Sequence, residues 1–236
     1  NNSLRLNVFS GKEKTYQAWN GVAAYLLDTN RTYNPSGTEK AGEPYDNETD
    51  NYTQTHYQFF YNHKFNPYWK GNIALFLTRG KGYYEQYKAQ ESFADYGLPD
   101  YNDGGNIITE TDLVRRLWLD NYFYGQIFSL QSHFAKNEFT IGGNWSRYNG
   151  KHFGQVIWAE NSAPKDVEYY HLPATKSDVA VYAKWLFKIN QQWSIFNDVQ
   201  YRHVDYEMNG FQDNPTLLIR RQFNFINPKT GISFND

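Results

Sequence analysis

The sequence predicts an all-β chain, an antiparallel up-and-down sheet that forms a segment of a transmembrane β-barrel. Apolar and polar residues alternate with a period of two, which is typical of strands with one apolar face. The clear strands run to about 11 to 14 residues, longer than most globular strands and long enough to cross a bilayer at a tilt. Short turns alternate with long polar connections, as they do in outer-membrane barrels.

The composition narrows the class further. Aromatic residues make up 19% of the 236 residues, with 21 Tyr, 17 Phe and 7 Trp, while the mean hydropathy is −0.80. Amphipathic aromatic residues suit membrane interfaces and stacking sites. The net charge of −2 with scattered basic residues argues against nucleic-acid binding. The absence of cysteine excludes disulfides, thiolate metal sites and a cysteine nucleophile.

The first hairpin turns around Pro67, where the missing N–H costs no ladder hydrogen bond. Aromatic and aliphatic residues alternate on both sides of this turn. A register that pairs Phe65 with Trp69 keeps them on one face and places Tyr61 beside Ile73. The apolar residues at alternate positions after the turn are therefore predicted to face lipid.

The second hairpin turns near residue 137. Its alternation predicts that Phe134 lies beside Phe139, and Phe128 beside Trp145. The opposite face of both strands is polar throughout. Phe139, like Trp69 and Trp193 in the other hairpins, stands at the short-turn end, where an aromatic girdle is expected.

The third hairpin has the clearest alternation, because Val181 and its neighbours at every second position are apolar and the intervening residues are mostly polar. A three-residue loop pairs Ile189 with Trp193 on the apolar side. The same register sets Lys184 opposite Asp198 on the polar side, so both faces support one register.

In all, the pattern predicts about eight strands in a single segment spanning 1–236, with no internal domain boundary. The predicted strands cover 3–9, 53–65, 69–79, 117–135, 138–148, 178–190, 193–204 and 219–226, with a possible start of another at 231–235. The long connections are predicted at 10–51, 81–115, 149–177 and 205–218.

Several stretches together resemble the TonB-dependent outer-membrane receptors of Gram-negative bacteria, and the resemblance covers most of the chain. They are GKEKTYQAWNGV (11–22), RTYNPSG (31–37), YDNETDNYTQTHYQ (45–58), TRGKGYYEQYK (78–88), RRLWLDNYFYG (115–125), RYNGKHFGQVIWAE (147–160) and FNFINPKTGISF (223–234).

The resemblance implies a fragment from the middle of a barrel of about 22 strands, located in the bacterial outer membrane. The family carries an N-terminal plug and a segment that engages TonB, and neither is visible in this sequence. The implied function is active import of a scarce nutrient: a siderophore, haem, cobalamin or glycan. The expected partners are membrane lipid and lipopolysaccharide, TonB through the missing N-terminal segment, and the small-molecule nutrient. No cofactor is expected.

Two sets of residues are candidate sites. Aromatic residues in the long connections could stack on the flat face of a ligand, although they could equally pack the connections together. Polar residues on the third hairpin are expected to line a wet lumen. The first set is Trp19, Tyr83, Tyr84, Tyr87, His152 and Trp158, and the second is Lys184, Asp198, Gln200 and Arg202.

No metal site is predicted. Asp46, Glu48 and Asp50 have the spacing of the first ligands of a calcium loop, but the glycine and glutamate that such a loop needs are missing, so a solvated acidic loop is the better interpretation. His152 and His171 lack the spacing of metal ligands.

No catalytic site is predicted either, because no nucleophile or glycine elbow accompanies the acid and base groups of HVDYE (203–207). Two alternatives to a transport receptor remain. A passive porin or small closed barrel would share the lipid-facing stripe. A soluble, aromatic-rich carbohydrate-binding β-domain would share the composition.

Overall fold

A computed structural model describes residues 1–161 and 166–235. Within them, eight long strands form one antiparallel sheet in the order β1-β2-β3-β6-β7-β8-β9-β10, and a small hairpin pairs β4 with β5. The strands are β1 (Asn2–Tyr16), β2 (Thr49–Lys64), β3 (Trp69–Ser92), β4 (Tyr101–Asp103), β5 (Asn106–Ile108), β6 (Glu110–Phe134), β7 (Asn137–Ala159), β8 (Val167–Lys188), β9 (Trp193–Phe211) and β10 (Asn214–Phe234).

Each long strand pairs with its neighbours along the chain, so the topology is up-and-down, and the all-β prediction is confirmed. The sheet is open, since β1 and β10 each pair on one side. Residues 162–165, inside the predicted connection 149–177, and residue 236, at the end of the predicted segment, lie outside the described residues. None of the helices in the described residues is long and apolar enough to cross a membrane.

The registers predicted for the first and third hairpins are confirmed. The Phe65 N–H donates to the Trp69 carbonyl at 3.0 Å, which closes the first turn. Lys184 lies opposite Asp198 in the third hairpin. In both cases the apolar face and the short turn favour the same alignment.

The register predicted for the second hairpin was wrong by two residues. Phe134 pairs with Asn137, and not with Phe139. By the same shift, Phe128 lies two positions away from the expected alignment with Trp145. Because side chains alternate between faces, a shift of two keeps every residue on its predicted face.

The physical reason lies in the turn itself. Only two residues connect β6 to β7, and the first of them, Ala135, adopts a φ of 50°. Left-handed backbone is unusual for alanine, so the sequence around residue 135 does not signal a tight turn.

The two faces of the sheet differ in character. We call the face that carries Val181 the outer face and the opposite face the inner face. We call the edge with the short turns the turn end and the opposite edge the loop end. From the turn end the outer face is an exposed apolar belt, with Ile73, Leu75 and Val181 all 44 to 47% exposed. Toward the loop end the belt stops, and the next outer-face residues along the strands are polar: Ser10, Thr55, Arg79, Arg147, Ser177, His203 and Asn224.

The strands continue well past this belt. Much of the predicted connections 81–115, 149–177 and 205–218 is paired strand, and β6 alone has 25 residues. The predicted strand 219–226 and the possible start of another at 231–235 fall on one strand, β10, which ends at Phe234. At about 3.4 Å per residue β6 is roughly 80 Å long, far more than a bilayer needs. The sheet therefore extends beyond the loop-end side of the belt.

Aromatic side chains on the inner face lie against glycines on the neighbouring strand. A Cβ added at Gly82 would come within 2.6 Å of the Tyr52 ring, and one added at Gly125 within 2.9 Å of the Phe76 ring. Glycine leaves these rings room to lie flat on the adjacent backbone, a device known to rescue glycines in sheets. In register, the pairs are Tyr52 with Gly82, Phe76 with Gly125, Tyr182 with Gly142, Tyr170 with Gly154 and Phe196 with Gly231.

A small hydrophobic core lies at the loop end. The segment between β3 and β6 contributes Phe93 and Tyr96, which pack with Leu113 and Val156 on the inner face. Phe93, Leu113 and Val156 are fully buried. This segment thus folds inward over the sheet.

The assignment of faces can be tested with Val181→Arg. An arginine on the outer face near the middle of the belt should disfavour insertion by about 2 to 4 kcal/mol, measured by urea titration of the bilayer-inserted protein. Lys184→Gln, on the inner face, should be tolerated. Equal effects of the two substitutions would contradict the assignment.

The aromatic and glycine pairs can be tested with Gly125→Ala. The new Cβ would lie 2.2 Å from the Trp145 carbonyl oxygen as well as against Phe76, so we expect a loss of about 1 to 3 kcal/mol in unfolding free energy. Gly11→Ala is the matched control, because a Cβ there meets nothing within 4 Å. A neutral Gly125→Ala would show that the close approach is not required.

Candidate ligand-binding site at the loop end of the inner face

The polar residues predicted to line a lumen lie on the inner face. Lys184 and Asp198 form an ion pair at 3.8 Å, and Lys229 lies on the other side of Asp198. Arg202 makes a two-pronged contact with Asp178 through Nε and Nη2. Gln200 accepts a hydrogen bond from Asn227 at 3.4 Å. The structure thus adds three polar residues to the predicted lumen-lining residues: Asn227, Lys229 and Asp178.

The most unusual group at the loop end is Arg115 on β6. Its Nη1 donates to the Tyr96 hydroxyl at 3.0 Å, and its Nε and Nη2 both donate to Gln86 Oε1 at 3.2 and 3.0 Å. Both partners are neutral. Within residues 1–161 and 166–235, no carboxylate forms a salt bridge to Arg115. The Tyr96 hydroxyl in turn donates to Glu91 Oε2 at 2.8 Å, so the nearest carboxylate reaches Arg115 only through this tyrosine. A half-buried cation without a direct carboxylate partner favours an anion.

Tyrosines surround Arg115. Tyr169 packs on Tyr96 with ring centroids 4.7 Å apart and on Tyr170 at 4.9 Å. Tyr84 lies on the same face and in register with Tyr170 across β6 and β7. These side chains combine aromatic faces with hydroxyl groups, which suits a flat ligand that carries oxygen acceptors.

The hydroxyls of this cluster remain protonated at neutral pH. Burial raises the pKa of Tyr169 to about 12. Burial is also the main cause that raises the pKa values of Tyr84, Tyr96 and Tyr170. The tyrosines can therefore donate hydrogen bonds while Arg115 keeps its positive charge.

The six predicted aromatic and histidine candidates divide between the two faces. Tyr84 and His152 are on the inner face, and the Trp19 ring packs edge-on against Tyr84 at 4.9 Å. Partial desolvation lowers the pKa of the His152 imidazole below its usual value. The other three, Tyr83, Tyr87 and Trp158, lie on the outer face.

Sequence reasoning missed Arg115, Tyr96, Tyr169 and Tyr170. Arg115 falls two residues before the predicted start of its strand at 117, so its facing was not assigned. The pair Tyr169-Tyr170 could have identified an aromatic residue on the inner face, because two adjacent residues of an extended strand point to opposite faces and one of the two rings must therefore point inward. A bulge changes this alternation locally. A bulge does occur beside Tyr169.

A second network fixes the connection between β1 and β2 to the outer face. Glu85, whose side chain is 2% exposed, accepts a hydrogen bond from the Tyr45 hydroxyl at 2.6 Å and pairs with Arg116 Nε at 2.7 Å. Asn47 donates to the same carboxylate. Gln17 Nε2 donates to the Glu85 carbonyl at 2.9 Å. This connection is therefore anchored at both its ends.

In the described part of the chain, no three His, Asp or Glu side chains come together as a possible metal-ligand set. Among the predicted acidic trio, Glu48 is buried and its pKa is raised mainly by that burial. The pKa of Asp50 is raised for the same reason.

The sequence matches no family model and no curated protein. Solved structures do match. The ferric-catecholate import receptor Fiu from E. coli K12, in its closed form, superposes on 99% of this chain with a TM-score of 0.55 and 9% identity. The described sheet therefore has the same fold as part of the barrel of this protein.

Two receptors from Acinetobacter baumannii have the same fold. The ferric preacinetobactin receptor BauA matches over 98% of this chain with a TM-score of 0.60 and 8% identity. The siderophore receptor PiuA matches over 99% with a TM-score of 0.59 and 12% identity. The chain spans between 35 and 39% of the length of these three proteins. All three are named as receptors and none as an enzyme.

The anchoring role of Glu85 can be tested with Glu85→Ala. Removing the carboxylate leaves Arg116, Tyr45 and Asn47 without their acceptor, which should cost about 2 to 4 kcal/mol locally. We expect limited proteolysis to cut within 17–48 at least tenfold faster while the sheet persists. Exposed Glu43 lies in the same connection, and Glu43→Ala should leave the cleavage rate unchanged. Equal cleavage rates for the two variants would contradict the anchoring role.

Proposed function

We propose that residues 1–236 are one barrel segment in the wall of a bacterial outer-membrane receptor that imports a scarce nutrient. In this proposal the energy comes from TonB, which engages a part of the receptor outside this chain. Support comes from the barrel-wall fold, the exposed apolar belt and the polar inner face. The open edges of the sheet fit a larger closed barrel of about 22 strands.

The observation that carries the proposal is Arg115, a half-buried cation that has no direct salt bridge to a carboxylate among the described residues and lies within a cluster of tyrosines. A ligand that is both anionic and flat would satisfy the charge and the rings together. Ferric complexes of catecholates are anionic and expose flat catechol rings around an octahedral iron. An uncharged glycan would leave Arg115 without a counter-ion. The charge of Arg115 therefore disfavours a glycan, and we favour a ferric siderophore over haem or cobalamin because the matching solved structures are named as receptors for such ligands.

In the proposed mechanism the ligand first binds at the loop end, between the tyrosines and Arg115. The inner-face ion pairs Lys184–Asp198 and Arg202–Asp178 lie nearer the turn end and provide a hydrophilic wall for the ligand after it leaves the first site. The chain performs no bond-making step. Rearrangement of a plug outside this chain would open the path.

Arg115→Ala in the full-length receptor tests the site. Loss of a charge-assisted contact of about 2 to 3 kcal/mol should weaken binding of a ferric catecholate by roughly 30- to 150-fold, measured by fluorescence quenching or calorimetry. Lys136→Ala is the control, because Lys136 lies in a short turn at the opposite end of the sheet. Unchanged affinity in Arg115→Ala would place ligand binding elsewhere.

Single-channel recording on the same receptor separates import from passive diffusion. A gated receptor should show no steady conductance when the plug is present. A steady open conductance, with no saturable binding of ferric catecholate, would favour a porin.

A further inference from the structure

A series of polar contacts leads from Arg115 to the connection between β1 and β2. Tyr96 accepts a hydrogen bond from Arg115 Nη1 at 3.0 Å and donates one to Glu91 Oε2 at 2.8 Å. The Glu91 carboxylate lies 3.8 Å from Lys88 Nζ, and Lys88 also pairs with Glu39 of the connection. We call these five residues the charge chain. Its charged members alternate in sign from the candidate site to the connection.

The Glu91 carboxylate is close enough to oppose an anion bound at Arg115. The two hydrogen bonds, of 2.8 and 3.0 Å, place Glu91 Oε2 no more than 5.8 Å from Arg115 Nη1. Charges at such a separation influence one another. Tyr96, which joins the two groups, is 2% exposed, so water screens their interaction poorly. An anion at this site is therefore attracted by Arg115 and repelled by Glu91.

Lys88 is shared between two carboxylates. It is in direct contact with Glu39, whereas its separation from Glu91 is 3.8 Å. A cation that is held by one carboxylate compensates a second one less well. The Lys88 and Glu91 side chains are 21 and 23% exposed, so solvent screens this pair only in part. Glu39 thus competes with Glu91 for the same ammonium group and leaves the Glu91 charge incompletely compensated.

We propose that Glu91 sets the strength with which the Arg115 site binds an anion, and that the contact between Glu39 and Lys88 weakens this binding. When Glu39 leaves Lys88, the ammonium group can move onto Glu91 and cancel its repulsion of the anion. Attachment of Glu39 and binding of the anion then oppose one another. Because such coupling is reciprocal, a bound anion must loosen the hold of the sheet on the connection. The inference rests on the proposed function of the Arg115 site.

The role of Glu91 is tested in the full-length receptor with the ferric complex of a synthetic hexadentate tris-catecholate as the probe. Glu91→Gln keeps an acceptor for Tyr96 but removes the charge, so the affinity should rise roughly 5- to 50-fold. Lys88→Gln should lower the affinity by about 3- to 10-fold for the same reason. High salt should reduce both effects. An unchanged or lower affinity in Glu91→Gln would overturn the proposal.

Glu110→Gln is the matched control for Glu91→Gln. Glu110 is exposed, neighbours Thr111, the register partner of Glu91, and lies on the outer face. The substitution removes the same charge from the same end of the sheet without touching the charge chain. The affinity for the probe should change by less than about twofold. An increase equal to that of Glu91→Gln would show that only the overall charge matters, and the proposal would fail.

The coupling to the connection is tested with Glu39→Gln. Since Glu39 is 49% exposed, its effect should be smaller, an increase in affinity of about two- to fivefold. Glu43→Gln, in the exposed part of the same connection, should leave the affinity unchanged. In the unmodified receptor, saturating probe should accelerate proteolysis within 17–48 by about two- to fivefold, and Lys88→Gln should abolish this acceleration. Slower cleavage with probe, or equal acceleration in Lys88→Gln, would contradict the coupling.

Failure of the charge chain can be distinguished from failure of the proposed binding site. If Arg115→Ala weakens binding of the probe and Glu91→Gln does not strengthen it, the site stands and the role of Glu91 is overturned. If neither substitution changes the affinity, both proposals are wrong.

Discussion

In the proposed membrane setting, backbone hydrogen bonding in hydrocarbon is the constraint on which the other features depend. Lipid offers no partner to a free N–H or C=O group, so every strand that crosses the belt must be paired along its whole length. The long, nearly uninterrupted ladders from β2 to β9 meet this requirement. Pairing occupies only the backbone groups, so the side chains of one face can be apolar while those of the other face are polar. The apolar belt and the polar inner face follow from this.

The same constraint explains which parts of the fold were predictable. Apolar and polar residues alternate clearly only along the apolar belt, so the eight strands were recognised there and their continuation beyond it was not. Alternation fixes the face of a residue but cannot distinguish registers that differ by two. A clear turn signal at Pro67 resolved that ambiguity in the first hairpin, whereas Ala135 provides no such signal in the second.

The candidate site was only partly accessible to sequence reasoning for a related reason. The aromatic enrichment around Tyr84 was visible, but beyond the belt both faces meet water and the pattern no longer separates them. Tyr83 and Tyr84 therefore entered as equivalent candidates, although they face opposite sides. Arg115 was not identified because its significance comes from its contacts, which are to the neutral side chains of Tyr96 and Gln86. That property depends on the packing of the β3–β6 segment and leaves no trace in the local sequence.

The pairing of inner-face rings with glycines has a consequence for the passage that such a wall would enclose. The number of strands sets the backbone radius of a barrel, and upright aromatic side chains would consume much of that radius. Where a ring lies flat on a glycine of the next strand, the aromatic side chain projects only a short distance into the passage. A wall rich in tyrosine and phenylalanine can thereby offer ring faces to a large solute without narrowing its clearance.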